Sequence, residues 1–198
     1  MNIQYTQQKG FALLLAMIVA SVVLSIGVAI LNVSVNQLKL SSTARESEIA
    51  FQSSQAGMDC LYYWRNEVAV EFTEAKPGSG GSTFTPPSIS CFGGAPTDSE
   101  GEILETNDTV KRNNSFWYQF EWGDPVRCTE VNLVVFSALS EDRDYYFPGT
   151  SVGPDGDGNV TCENGTVCNL IFSQGYNRPC AELATSIFTV QRELTLEF

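Results

Sequence analysis

Residues 9–31 read Lys-Gly-Phe-Ala-Leu-Leu-Leu-Ala-Met-Ile-Val-Ala-Ser-Val-Val-Leu-Ser-Ile-Gly-Val-Ala-Ile-Leu. The apolar run opens at Phe11 and closes at Leu31; at about 1.5 Å per helical residue it extends roughly 30 Å, the thickness of a bilayer's hydrocarbon core. It is expected to cross a membrane as one helix. A secretory signal peptide has a shorter apolar core, about 7–15 residues, with a small-residue cleavage site after it. Here the run is longer, no Pro or turn cluster follows it, and the one processing-like feature, Gly10, stands ahead of it. Gly10 closes a short polar leader, Met1 to Gly10, whose single charged side chain is Lys9. Taken alone, the Gly10-Phe11 pair leaves two readings open: an ordinary signal anchor in which Gly10 has no role, or a cleavage point.

The sequence beyond Leu31 bears on that choice. From Asn32 to Arg65 there is no Pro and one Gly, Gly57, while Val35, Leu38, Ile49, Ala56, Cys60 and Trp64 recur near helical spacing. The helix is therefore expected to continue from the spanning segment, 11–31, through an exterior extension, 32–65, over roughly 80 Å. A simple anchor has no reason to run so far, whereas a subunit whose helices bundle into a shaft does.

With its Gly-Phe junction and apolar helix, the chain resembles type IV pilin-like proteins. In that family a dedicated peptidase cuts on the cytoplasmic side after such a Gly, leaves an N-terminal Phe and retains the helix. The resemblance implies a cut between Gly10 and Phe11. Further along, Arg45-Glu-Ser-Glu-Ile-Ala-Phe-Gln-Ser-Ser-Gln-Ala-Gly-Met-Asp-Cys60 is similar to the amino-terminal region of PilX-type minor pilins, where an Arg precedes Ala-Phe and a small, acidic, Ala-Gly run. Ala50, Phe51, Ala56 and Gly57 match, whereas Gln55 stands where an acid is usual. The resemblance covers about 50 of the 198 residues and leaves the rest undetermined. Major pilins usually place a Glu at the fifth residue of the mature chain, where an acid inside hydrocarbon demands a partner. That position here is Leu15, which implies a filament tip or low-copy subunit rather than the repeating body.

Beyond Arg65 the chain changes character. Residues 66–198 hold 7 Lys and Arg against 20 Asp and Glu, while 32–65 hold three of each sign. An acidic head repels phosphate, so direct nucleic-acid binding is not expected. With Lys9 alone beside the spanning segment, charge says little about orientation. Six cysteines, Cys60, Cys91, Cys128, Cys162, Cys168 and Cys180, all follow the apolar run. An even count, no His and no Cys-x-x-Cys pair argue for three disulfides in a non-cytoplasmic head rather than for zinc.

The expected fold class is α+β: a long N-terminal transmembrane helix whose upper part packs on a small, mostly antiparallel sheet in a disulfide-tied head, 66–198. Residues 67–111, rich in Gly, Pro, Ser and Thr, read as mostly loop with room for one short strand. Ser115–Trp122 alternates Phe116, Tyr118, Phe120 and Trp122 against Trp117, Gln119 and Glu121, which is a strand pattern. Glu130–Leu139, Val167–Phe172 and Ile187–Phe198 supply three more, giving a four-stranded sheet. Phe51, Met58, Leu61, Tyr62 and Trp64 are the expected apolar face of the helix toward it. If the strands after Glu130 and Val167 pair antiparallel, Cys128 comes near Cys180. Cys162 and Cys168 then close a small loop, and Cys60 is left to tie the helix to Cys91.

Asp155-Gly-Asp-Gly-Asn places Asp155, Asp157 and Asn159 at alternating positions, as a calcium loop begins. The EF-hand Gly is missing, since Val160 stands sixth, and Thr166 rather than Glu stands twelfth. A solvated Asp/Gly turn is therefore the default reading, and no cofactor is expected. Without His, a nucleophile elbow or a phosphate loop, nothing points to catalysis. The expected partners are other pilin subunits, the prepilin peptidase, the inner-membrane assembly machinery and the membrane itself. The corresponding location is a single-pass membrane protein with its head outside the cytoplasm before assembly, then a pilus or the cell surface. A pseudopilin of a type II secretion or DNA-uptake machine is a close alternative. An anchored adhesin or calcium-binding module that never polymerises is a distant one.

Overall fold

The protein is described by a computed structural model over residues 8–74, 83–105, 113–138, 142–147, 150, 152–186 and 189–198. The Gly/Ser run 77–82, and Ile187 and Phe188 in the expected last strand, lie outside the described residues. One uninterrupted helix, α1 (Gln8–Glu67), contains both the apolar run and its polar extension. A short helix, α2 (Ala69–Glu74), follows. Eight strands come next: β1 (Thr83–Phe84), β2 (Asp98–Glu105), β3 (Asn113–Trp122), β4 (Arg127–Ala138), β5 (Arg143–Tyr146), β6 (Asn159–Cys162), β7 (Thr166–Tyr176) and β8 (Gln191–Glu197). The chain forms two compact units that divide inside α1, residues 1–45 and 46–198. The second unit therefore includes the last part of the helix, where the sequence reading began the head at residue 66.

In that second unit the main sheet has six strands in the order β1-β2-β3-β4-β7-β8, every neighbouring pair antiparallel. The expectation of four strands is corrected by β1 and β2 at one edge, and by a separate pair, β5-β6. Strand β2, Asp-Ser-Glu-Gly-Glu-Ile-Leu-Glu, has neither β-branched enrichment nor apolar alternation, so propensity does not reveal it. What makes it a strand is the β3 backbone, which it pairs from Asp98↔Gln119 to Glu105↔Asn113. Strand β7 also runs past its expected end at Phe172, through Gly175 to Tyr176.

Gly175 explains the helix-sheet contact as well. A Cβ there would overlap the helix backbone at Ala50 and Ser54, and a Cβ on Gly57 would overlap the side chains of Thr129, Ser173 and Val131. Helix and sheet thus meet through small residues at Ala50, Ser53, Ser54 and Gly57. At this distance their polar groups reach one another. Ser54 donates its hydroxyl to the Ser173 carbonyl (2.7 Å), and Ser173 donates its own to the Ser54 carbonyl (2.6 Å). The expected aromatic face is accordingly only part of the contact. Leu61 is buried and Met58 and Trp64 pack partly into the core, but Phe51 is 41 % exposed. Tyr62 is largely exposed and meets the Phe198 ring edge-on at 4.9 Å.

Two apolar cores follow, one on each face of the sheet. Between helix and sheet lie Leu61, Phe72, Phe116, Tyr118, Phe120, Leu133 and Ile171. On the opposite face β5-β6 covers Val134, Phe136 and Leu170 with Val160 and Cys162. Disulfides join the parts: Cys60–Cys91, Cys128–Cys180 and Cys162–Cys168, the pairs that strand order implied. The Cys128–Cys180 bond closes a sequence separation of 52 residues, for which chain entropy alone gives about 4 kcal/mol against the unfolded state.

The small-residue seam yields a direct test. Gly175→Ala should cost more than about 3 kcal/mol, because the added methyl meets helix backbone that cannot rotate away, whereas Gly57→Ala meets side chains and should cost about 1–3 kcal/mol. Urea unfolding under non-reducing conditions would measure both, and equal, near-zero effects would show that the seam is looser than described.

Candidate functional site

Three regions bear on function, two of which carry residues that the sequence singled out. The first is the start of α1. Gly10 and Phe11 lie within the helical span, and from Phe11 to Leu40 every side chain is exposed, Leu15 at 52 %. This helix is long and apolar enough to cross a membrane, and none of its apolar window is buried. The hydroxyls of Ser21 and Ser25 donate to the carbonyls of Ile18 and Val22 (both 2.8 Å), so the run presents no unsatisfied hydroxyl to hydrocarbon. With no acid from Phe11 to Leu38, the segment offers no internal charge at position 15 or elsewhere.

The second region is the acidic turn at 152–159. Gly153, Gly156 and Gly158 all adopt positive φ, which folds the loop back so that Gly158 donates to the Val152 carbonyl (3.0 Å). The Asp157 carboxylate accepts from the Asn159 amide nitrogen (2.9 Å) and from its side-chain nitrogen (2.6 Å). These bonds, the backbone one first, hold its carboxyl below the usual carboxylate range. Asp157 is thus engaged within its own turn. Among the described residues no three His, Cys, Asp or Glu side chains gather as a metal site.

The third region was not anticipated: the sheet face turned away from α1. Because side chains alternate, one row across β2, β3, β4, β7 and β8 is Asp98, Gln119, Glu130, Gln174, Glu193. The next row is Glu100, Trp117, Asn132, Phe172, Thr195, and Glu102 and Glu197 flank the one beyond. No Lys or Arg stands in these rows. Where β5-β6 stops covering the sheet, a cleft of about 480 Å³ opens between Trp117, Phe172 and Phe147, with Glu130, Gln174 and Glu193 along its polar side.

The polar side is a network rather than loose surface chains. Gln119 donates its side-chain nitrogen to Glu130 (2.9 Å), Tyr176 donates its hydroxyl to the other Glu130 oxygen (3.1 Å), and Gln174 donates to Glu193 (2.8 Å). Tyr176 also lies 2.9 Å from the Gln174 side-chain oxygen, yet its hydroxyl has one proton for two acceptors. The charged carboxylate is the stronger acceptor, which leaves acceptor capacity in excess on this face. Sequence pattern marked β3, β4, β7 and β8 but not β2, and the row itself comes from pairing order.

No known family, characterised protein or solved structure matches this chain significantly.

Burial pushes the Tyr176 hydroxyl above the ordinary phenol range, and the Glu130 charge and hydrogen bond act in the same direction. Burial, followed by the Glu71 charge, raises Tyr118 likewise. The folded protein thus keeps protons that the unfolded chain releases near pH ~10. The resulting stability is complete below that pH and falls as pH rises through it. Urea midpoints should therefore decline above about pH 10, and Tyr176→Phe should flatten the decline. An identical pH slope in the variant would contradict the assignment.

Proposed function

We propose that this chain is a minor pilin-like structural subunit of a type IV pilus or related filament, acting by assembly and contact rather than by turnover. One observation carries the reading: a single helix, Gln8–Glu67, begins as an exposed apolar span and ends packed by one face against the sheet of a disulfide-tied antiparallel head. A hydrocarbon-length run that continues without a break into a packed helix suits a subunit that first sits in a membrane and then exchanges lipid for neighbouring helices. The resemblance of Gly10-Phe11 and of Arg45–Cys60 to pilin-like and PilX-type sequences supports it. Three disulfides support a head that resides outside the cytoplasm. In this reading the prepilin peptidase and the assembly machinery of the inner membrane act on the amino-terminal segment, and the head faces solvent or a surface.

Cleavage between Gly10 and Phe11 is the test of the family. Intact mass and N-terminal sequencing of membrane-extracted protein should find Phe11 first, N-methylated in line with the resemblance. An intact Met1 would favour a non-polymerising anchor. Placement in the filament rests on Leu15, which offers no carboxylate to a neighbouring subunit. Immunogold labelling should mark filament ends at low copy, and Leu15→Glu should bring more label onto the shaft; dense wild-type labelling along the shaft would refute the tip position.

A further inference from the structure

We propose that the cleft on the outer sheet face binds a small organic cation, an alkylammonium ion whose charged head lies between Glu130 and Glu193 and whose apolar body lies against Trp117, Phe147 and Phe172. Its volume of about 480 Å³ falls within the range of small-molecule sites, and one wall is aromatic while the other is polar. Charge selects the ligand. The rows around the cleft hold Asp98, Glu100, Glu102, Glu130, Glu193 and Glu197 without a Lys or Arg between them. An anion would enter uncompensated, whereas a cation is drawn in by the field of a head with 7 basic and 20 acidic residues.

Hydrogen-bonding capacity points the same way. Gln119 and Tyr176 fix both oxygens of Glu130, and Gln174 fixes Glu193, so the two carboxylates are held in place rather than free to collapse onto each other. Each carboxylate oxygen has a further acceptor position, and the Gln174 oxygen competes with Glu130 for the single Tyr176 proton. The site is rich in acceptors, and an ammonium group brings three donors. Trp117 lines the cleft as apolar surface for the alkyl body, and its cross-strand neighbours are Glu100 and Asn132. A neutral sugar would use the aromatic wall but would leave the two carboxylate charges uncompensated.

The experiment is an NMR titration of the full-length protein in uncharged maltoside micelles with three isosteric probes: pentylammonium, pentanol and pentanoate. Pentylammonium should shift the amides of Trp117, Asn132 and Gln174 saturably below about 50 mM, with pentanol and pentanoate leaving them in place. Glu130→Gln, which keeps the shape and hydrogen-bonding reach of the side chain, should weaken the ammonium at least about tenfold. Glu193→Gln, at an exposed position, should weaken it without perturbing the fold. Equal shifts with pentanol, no saturation with pentylammonium, unchanged affinity in both variants, or binding of methyl glucoside in place of the amine would each overturn the proposal.

Discussion

Ser54 and Ser173 exchange hydrogen bonds to each other's backbone carbonyls, and Gly175 lies directly against the backbone of Ala50 and Ser54. That approach fixes the rest of the head. With helix and sheet so close at one end, Leu61, Phe72, Phe116 and Tyr118 fill the wider gap at the other. Buried hydroxyls cost free energy without partners; Ser54 and Ser173 avoid that cost by donating to each other's carbonyls, whereas the Ser53 hydroxyl beside them is buried without a partner among the described residues. Thr129 adds a third tie, donating to the Ser53 carbonyl (3.3 Å) while accepting from the indole nitrogen of Trp122 (2.9 Å).

Once one sheet face is committed to the helix, the other must be covered or made soluble, and this protein does both. The β5-β6 pair covers the end around Val134, Phe136 and Leu170, secured by Cys162–Cys168 beside it. The uncovered end carries carboxylates and amides around Trp117. An acidic outer face also protects the sheet, because like charges on an exposed surface discourage association with another copy. The same charges give the cleft its preference for cations.

The ends of the sheet follow a similar logic. Strand β8 is an edge whose inward residues, Leu194 and Leu196, face the helix side, and Arg192 donates to the Ser47 hydroxyl at 2.9 and 2.6 Å. Asn177 donates to Glu46 (2.8 Å), bringing a second contact to the same turn of helix. At the far edge, β1 has two residues, and Phe84 lies over Gly101, where any side chain would displace it. A short strand closed by an aromatic ring leaves little backbone open to pairing.

Sequence alone determined what depends on local periodicity and composition. The apolar run is legible from its length and unbroken hydropathy, the helix beyond it from apolar residues near a period of 3.6, β3 from its period of 2, and β4 from a continuous apolar stretch buried on both faces. Cysteine pairing was legible too, because antiparallel order brings Cys128 and Cys180 to the same end of β4 and β7. Tertiary structure decided what depends on residues far apart in the chain. Asp98–Glu105 becomes a strand by pairing with β3, and Arg143–Tyr146 becomes one by pairing with β6, although neither has a strand-like pattern of its own. The role of Gly57 and Gly175 emerges only when helix and sheet are placed together, where the absence of a side chain is what permits contact. The outer row of Asp98, Gln119, Glu130, Gln174 and Glu193 draws one residue from each of five strands. No window of sequence contains it, because hydrogen-bond register, not sequence distance, sets those residues side by side.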